Sequence, residues 1–275
     1  MMRRSLALSS ALLLGLLSAS AFADNSAPLS SGRASQRSSG APEREIGVGI
    51  GVGPTYLGSD KNRGGIGLYA EANFSNGFFV STTDGIGFRF IENAAGFSLA
   101  ASIDSSGMRR EKDGKYGRDG GSNPLLGMGD VKARPRANVF LNYDAGPFHT
   151  TLALRQTLGS RHGTGVDLYG SYDLHADRDN LVRATAGISY ANRSLMQTFF
   201  GVNETQAANT PYDVYRPSAG IAGGGIGVTW RHAFSREWVG TVGAGVTHLR
   251  GAAADSPLTD RRTSAEIGMS LGYRF

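Results

Sequence analysis

The chain predicts an all-β fold, a transmembrane antiparallel β-barrel of about twelve strands, and three observations carry that prediction. Apolar and small or polar residues alternate with a period of two along most of the chain after residue 45, the pattern of strands with one apolar face. The connections between these segments alternate between short and long, as short periplasmic turns and longer extracellular loops do. Aromatic residues gather near the strand ends beside the short turns, as an interfacial girdle does. Composition agrees. Of 275 residues, 40 are Gly, about twice the usual share, and each Gly inside a helix costs about 1 kcal/mol relative to Ala. Hydrophobic residues make up 40% and charged residues 19%, too apolar for a disordered chain and too polar for a bundle of membrane helices.

In chain order, residues 1–23 read as a secretory signal. Arg3 and Arg4 precede an apolar run from Leu6 to Leu17, and Ala21 and Ala23 fit the small-x-small cleavage rule, with Asp24 as the new N-terminus. The run is too short to span the bilayer as a helix. Losing it removes two of the five net positive charges, which leaves no charge argument for nucleic acid. Residues 24–45 are rich in Ser, Ala and Gly and read as a flexible periplasmic tail that cannot bury a core.

The barrel is expected over 46–275, with strands near 45–54, 65–74, 78–82, 86–91, 96–104, 132–144, 148–157, 164–173, 181–191, 221–233, 238–249 and 264–275. The first reads I-G-V-G-I-G-V-G from Ile46 to Gly53, with Ile46, Val48, Ile50 and Val52 on one face and glycines on the other. The last sets Ile267, Met269, Leu271, Tyr273 and Phe275 against Glu266, Gly268, Ser270, Gly272 and Arg274. Between them, Val139, Leu141 and Tyr143 oppose Asn138, Phe140 and Asn142, and Val182, Ala184 and Ile188 oppose Arg183, Thr185 and Ser189. The halves of 78–91 are short for spanning strands. Merging them into one strand leads to a ten-strand alternative. Tyr69, Glu71, Arg89, Asn138, Arg155, Asp167, Arg183, Arg231, Glu266 and Arg274 fall on the inner face, and opposite charges in so narrow a lumen pair and fill it. The open porins need about 16–18 strands. Long loops are read at 105–131 and 192–220, and the mixed charges from Arg109 to Asp119 read as solvated.

No chemical constellation stands out, so no catalytic, cofactor-binding or metal-binding residue is assigned. The chain has no Cys, hence no thiolate site. Its five histidines include no H-E-x-x-H. The glycine runs at Gly47–Gly51 and Gly223–Gly227 lie inside alternating segments rather than before a helix, unlike a phosphate-binding loop. His162 with Ser160 and Asp167, or His248 with Asp255 and Ser256, form the weak candidates for a rim hydrolase; no G-x-S-x-G supports them.

Collinear segments then match a known pattern: Val52-Gly-Pro-Thr-Tyr-Leu-Gly-Ser-Asp60, Asn76-Gly-Phe-Phe79, Leu126-Gly-Met-Gly-Asp130, Met196-Gln-Thr-Phe-Phe-Gly-Val202 and Leu271-Gly-Tyr-Arg-Phe275. Together they resemble the MipA/OmpV family of MltA-interacting outer-membrane proteins. The resemblance implies a monomeric barrel in a Gram-negative outer membrane, in contact with lipid and lipopolysaccharide. It implies a non-enzymatic scaffold that brings a lytic transglycosylase to a peptidoglycan synthase. Tyr273 and Phe275 look like the end signal read by the barrel-assembly machinery. A small passive channel and an adhesin-type surface barrel are the alternative functions.

Overall fold

The computed structural model describes residues 44–111, 124–159 and 163–275. The signal-cleavage residues Ala21, Ala23 and Asp24, and Ser160 and His162, lie outside these. Among the described residues twelve antiparallel strands close into one barrel, each hydrogen-bonded to its sequence neighbours, with the first sealed to the last. The strands are β1 (Arg44–Pro54), β2 (Asn62–Asn73), β3 (Phe78–Ser81), β4 (Gly85–Glu92), β5 (Phe97–Ser105) and β6 (Pro135–Ala145), followed by β7 (Phe148–Thr157), β8 (Thr164–Ala176), β9 (Asn180–Ala191), β10 (Gly220–Ala233), β11 (Trp238–Leu249) and β12 (Thr263–Arg274). The ten-strand alternative falls at β3 and β4. Ser81 Oγ accepts from the backbone N–H groups of Thr83 and Asp84, and Gly85 takes φ +83, so the chain turns back there instead of running on.

The outward faces carry Ile46, Val48, Ile50, Leu141, Leu152, Ile188, Ile226 and Ile267, all exposed. A belt of this kind finds its solvent in hydrocarbon, and only a closed ladder satisfies every backbone group there. The girdle is built from directly opposed residues. Phe97 faces Tyr143, Phe148 faces Tyr172 and Trp238 faces Tyr273, with ring centroids 4.6, 4.6 and 5.2 Å apart. The chain is a transmembrane β-barrel.

The inner wall is uneven. From β3 to β8 it carries bulky groups, including buried Phe79, Phe140, Asn138, Asn142 and Tyr169. On β1 it is mostly Gly, and on β10, β11 and β12 Gly alternates with Thr and Ser over much of its length. Tyr69 lies against this smooth side: a Cβ on Gly47 would fall 2.4 Å from its ring and 2.5 Å from the Leu271 carbonyl oxygen. Gly47 faces Gly272 across the β1–β12 seam that closes the barrel. Gly47→Ala is therefore expected to cost about 1–3 kcal/mol by overpacking. The check is the fraction of refolded protein that migrates as compact, heat-modifiable barrel on a gel; an unchanged fraction and midpoint would contradict it.

The wall also has a notch. β2 runs for twelve residues and β3 for only four, and the two pair only over Glu71–Asn73. Among the described residues Asn62–Tyr69 has no strand beside it on that side. Ile66 and Leu68, at this edge, are 71% and 69% exposed.

The stretch 192–220, read from sequence as loop without helical period, holds two short helices: α1 (Arg193–Phe200) and α2 (Glu204–Asn209). A third, α3, covers Gly251–Ala254. Asn192 Oδ1 accepts from Leu195 N at 2.9 Å. Asn203 and Gln206 form a reciprocal capping box, which satisfies free N–H groups of the first turn.

Candidate functional site

Different chemistry gathers at the two ends of the barrel. At the inner end Glu45, 3% exposed, accepts from Tyr69 Oη at 2.6 Å, pairs with Arg231 and lies 3.5 Å from Arg274 Nε. The structure thus takes Arg44 as well as Glu45 into β1, where the sequence alone ended the tail and began the first strand near residue 45. A second cluster sits beside it. His149 Nδ1 is 2.7 Å from Asp144 and its Nε2 is 3.2 Å from Asp173, and Arg183 pairs with Asp173. Higher in the lumen Arg155 Nε donates to Asp167 at 2.9 Å and its guanidinium lies 5.4 Å above the Phe140 ring. The expected pairing of inward charges is thus seen in Arg155 with Asp167 and in Arg231 and Arg274 with Glu45.

At the outer end the loops fold into a cap with its own apolar packing. Met196 and Phe200 of α1 bury against Ala191, Leu249, Ala253 and Ala254. Tyr56, Leu125, Met128, Val202 and Leu258 form a second cluster drawn from four loops. Polar groups stitch them together: Gln206 Nε2 donates to the Met128 carbonyl at 2.7 Å, Tyr215 Oη to Ala252 at 2.8 Å and Ser256 Oγ to Phe200 at 2.6 Å. Tyr56 donates to Asp260 at 3.2 Å. Burial first, and then the Asp260 charge, push the Tyr56 hydroxyl well above the ordinary tyrosine range. Burial raises Tyr212 and Tyr215 as well. A folded-state pKa raised above the unfolded one contributes stability that is present below the unfolded value and lost as pH rises through the folded one. The cap is therefore expected to loosen above about pH 10. Protease cleavage in 192–220 should accelerate there, and Tyr56→Phe should remove the largest share of that pH dependence; a cleavage rate flat to pH 11 would refute the assignment.

Between cap and lumen lies a cavity of about 190 Å³. Arg155, Asp167 and Tyr169 form its floor, and Leu195, Met196, Phe199 and Phe200 its roof. Thr83, Ser106 and Gly107 line it at the notch. Arg109, read from sequence as part of a solvated charged loop, is 7% exposed and lines the cavity too. Its Nη1 donates to the Phe199 carbonyl at 2.6 Å and its buried Nε has no hydrogen-bond partner among the described residues. Burial lowers its pKa from the ordinary arginine value.

The hydrolase candidates among the described residues have other partners. His248 Nδ1 contacts Thr263 Oγ1 at 2.8 Å, Asp255 pairs with Arg262, and Ser256 is spent on the Phe200 carbonyl. Asp167 is held by Arg155. Among the described residues no three His, Asp or Glu side chains gather as a metal site. Tyr273 points outward beside Trp238, and the exposed Phe275 donates its N–H to the Arg44 carbonyl at 3.1 Å. No curated protein matches the chain. Among solved structures it is similar to the NanC porin, at 8% identity and TM-score 0.46 over 85% of this chain and 100% of that one. It is also similar to the KdgM porin, at 12% identity and TM-score 0.44 over 84% and 99%. Neither likeness bears on what this chain does. The family described as MltA-interacting protein MipA matches residues 46–275, and the chain belongs to that family.

Proposed function

We propose that this barrel is a non-enzymatic platform in the outer membrane that docks murein enzymes, joining a lytic transglycosylase to a peptidoglycan synthase on its periplasmic side. The observations behind this reading are the charge cluster of Glu45 with Arg231 and Arg274 below and the packed loop cap above. A barrel filled with paired charges is better suited to present a surface than to conduct. The family description, an MltA-interacting protein, supports the same partner class. In this reading the signal is cleaved after Ala23, the tail, shortened to 24–43 by the start of β1 at Arg44, reaches into the periplasm, and Tyr273 with Phe275 are read by the assembly machinery. The barrel works as a monomer. The periplasmic turns are short, so the tail becomes the element long enough to reach a partner. The test is crosslinking in native envelopes followed by recovery of the tagged full chain. Murein enzymes should co-purify, and deletion of 24–43, which leaves β1 whole, should diminish them. Absence of any murein enzyme under conditions that retain a known complex would overturn the proposal. A second reading, a narrow channel, rests on the wall of β1 and β10–β12, where much of the inner face is Gly, Thr and Ser. Planar-bilayer recordings decide it, since conductance at background level removes that reading.

A further inference from the structure

Arg109 is a buried cation in an unusual position. Among the described residues no carboxylate pairs with it, whereas Arg136 and Arg155, which line the same cavity, are each matched by an aspartate, Asp104 at 2.6 Å and Asp167 at 2.9 Å. An arginine taken from water without an anion is costly, and one hydrogen bond to a neutral carbonyl offsets only part of that cost. Its Nε is left without a partner beside a cavity whose other roof groups, Leu195, Met196, Phe199 and Phe200, are apolar. The cavity thus offers one uncompensated positive charge and an apolar wall. Its volume of about 190 Å³ is of the scale that admits a small organic molecule; an apolar cavity of about 150 Å³ takes up benzene.

We propose that the chamber under the loop cap binds a small amphiphilic carboxylate, its head on the Arg109 guanidinium and its body of about six carbons against α1. The notch supports the amphiphilic class over a bare anion. It breaks the wall at the height of the apolar belt, beside exposed Ile66 and Leu68, and Thr83, Ser106 and Gly107 carry the cavity lining to it. A molecule with an apolar body reaches the chamber from the lipid side as well as from water. A hydrogen-bonded carboxylate–guanidinium pair out of bulk water is the strong form of this contact, so charge and apolar body should both be required.

The probes are hexanoate and benzoate, with hexanol, acetate and inorganic phosphate as comparisons. They are titrated calorimetrically into the full chain in phosphatidylcholine nanodiscs, with empty nanodiscs as the blank. Hexanoate and benzoate should bind saturably, and each comparison compound at least tenfold more weakly. Arg109→Gln should weaken hexanoate about tenfold or more without changing hexanol, and Arg109→Lys should retain part of the difference. Ser189→Phe adds volume at a residue that lines the cavity from β9 and should abolish binding of all probes. Heat-modifiable migration on a gel confirms that each variant is folded. Absence of saturable binding overturns the proposal. So does equal binding of hexanoate and hexanol, equal binding of phosphate or acetate, or a folded Arg109→Gln protein that binds hexanoate like the parent.

Discussion

Replacing Glu45 by alanine is expected to lower the unfolding free energy of the barrel by about 3–5 kcal/mol, the range for removing one partner of a buried charge cluster. Glu45 pairs with Arg231, lies 3.5 Å from Arg274 Nε and accepts from Tyr69 as well. Its removal takes from two guanidinium groups and a tyrosine hydroxyl the buried carboxylate that all three share. It also acts at the seam, since Glu45 opposes Arg274 across the β1–β12 pairing and Glu71 across β1–β2. The measurement is urea unfolding in lipid vesicles, followed by tryptophan fluorescence. Trp230 and Trp238 both lie in strands next to the seam region. The double variant Glu45→Met with Arg231→Met should recover much of the loss, because a well-packed apolar pair of similar volume often equals a buried ion pair. A loss below about 1 kcal/mol for Glu45→Ala would show that the cluster is solvated rather than closed.

The strands were legible because the two faces of a lipid-facing wall differ so sharply. Ile46, Val48, Ile50 and Val52 against glycine admit one reading, and β1 lies where that alternation runs. The inward set was legible for the same reason, as Asn138, Arg155 and Asp167 occupy the face opposite the apolar one and are buried there. The pairing of those charges was readable in kind but not in detail. Which arginine meets Glu45 depends on register around the closed barrel, and Arg231 and Glu45 are 186 residues apart. The cap was the part that alternation hides. Leu195, Met196, Phe199 and Phe200 do carry a helical spacing, but over two turns it is too brief to stand out from loop sequence. Asn192 and the Asn203–Gln206 pair were the available signs. The burial of Arg109 had no local sign at all, because it sits in a run of charges and is covered by residues 90 positions away.

The second large effect belongs to the cap alone. Phe200→Ala is expected to remove about 3–5 kcal/mol of local stability, as for truncating a buried phenylalanine. Phe200 is packed among Met196, Leu249, Ala253 and Ala254, so the ring joins α1 to the top of β11 and to α3. Its own carbonyl accepts from Ser256, and the neighbouring Phe199 carbonyl accepts from Arg109. Loosening α1 therefore releases the polar stitches as well as the apolar ones. The strand ladder shares none of these contacts on its lower half, so the cap should open as a separate unit while the barrel stays closed. Protease cleavage within 192–220 should rise about 100- to 4,000-fold, since each 1.4 kcal/mol is a factor of ten in the open population. Heat-modifiable migration should be unchanged. Equal cleavage in parent and variant would mean that the cap is not held by this cluster. Loss of the barrel together with the cap would mean that the two fold as one.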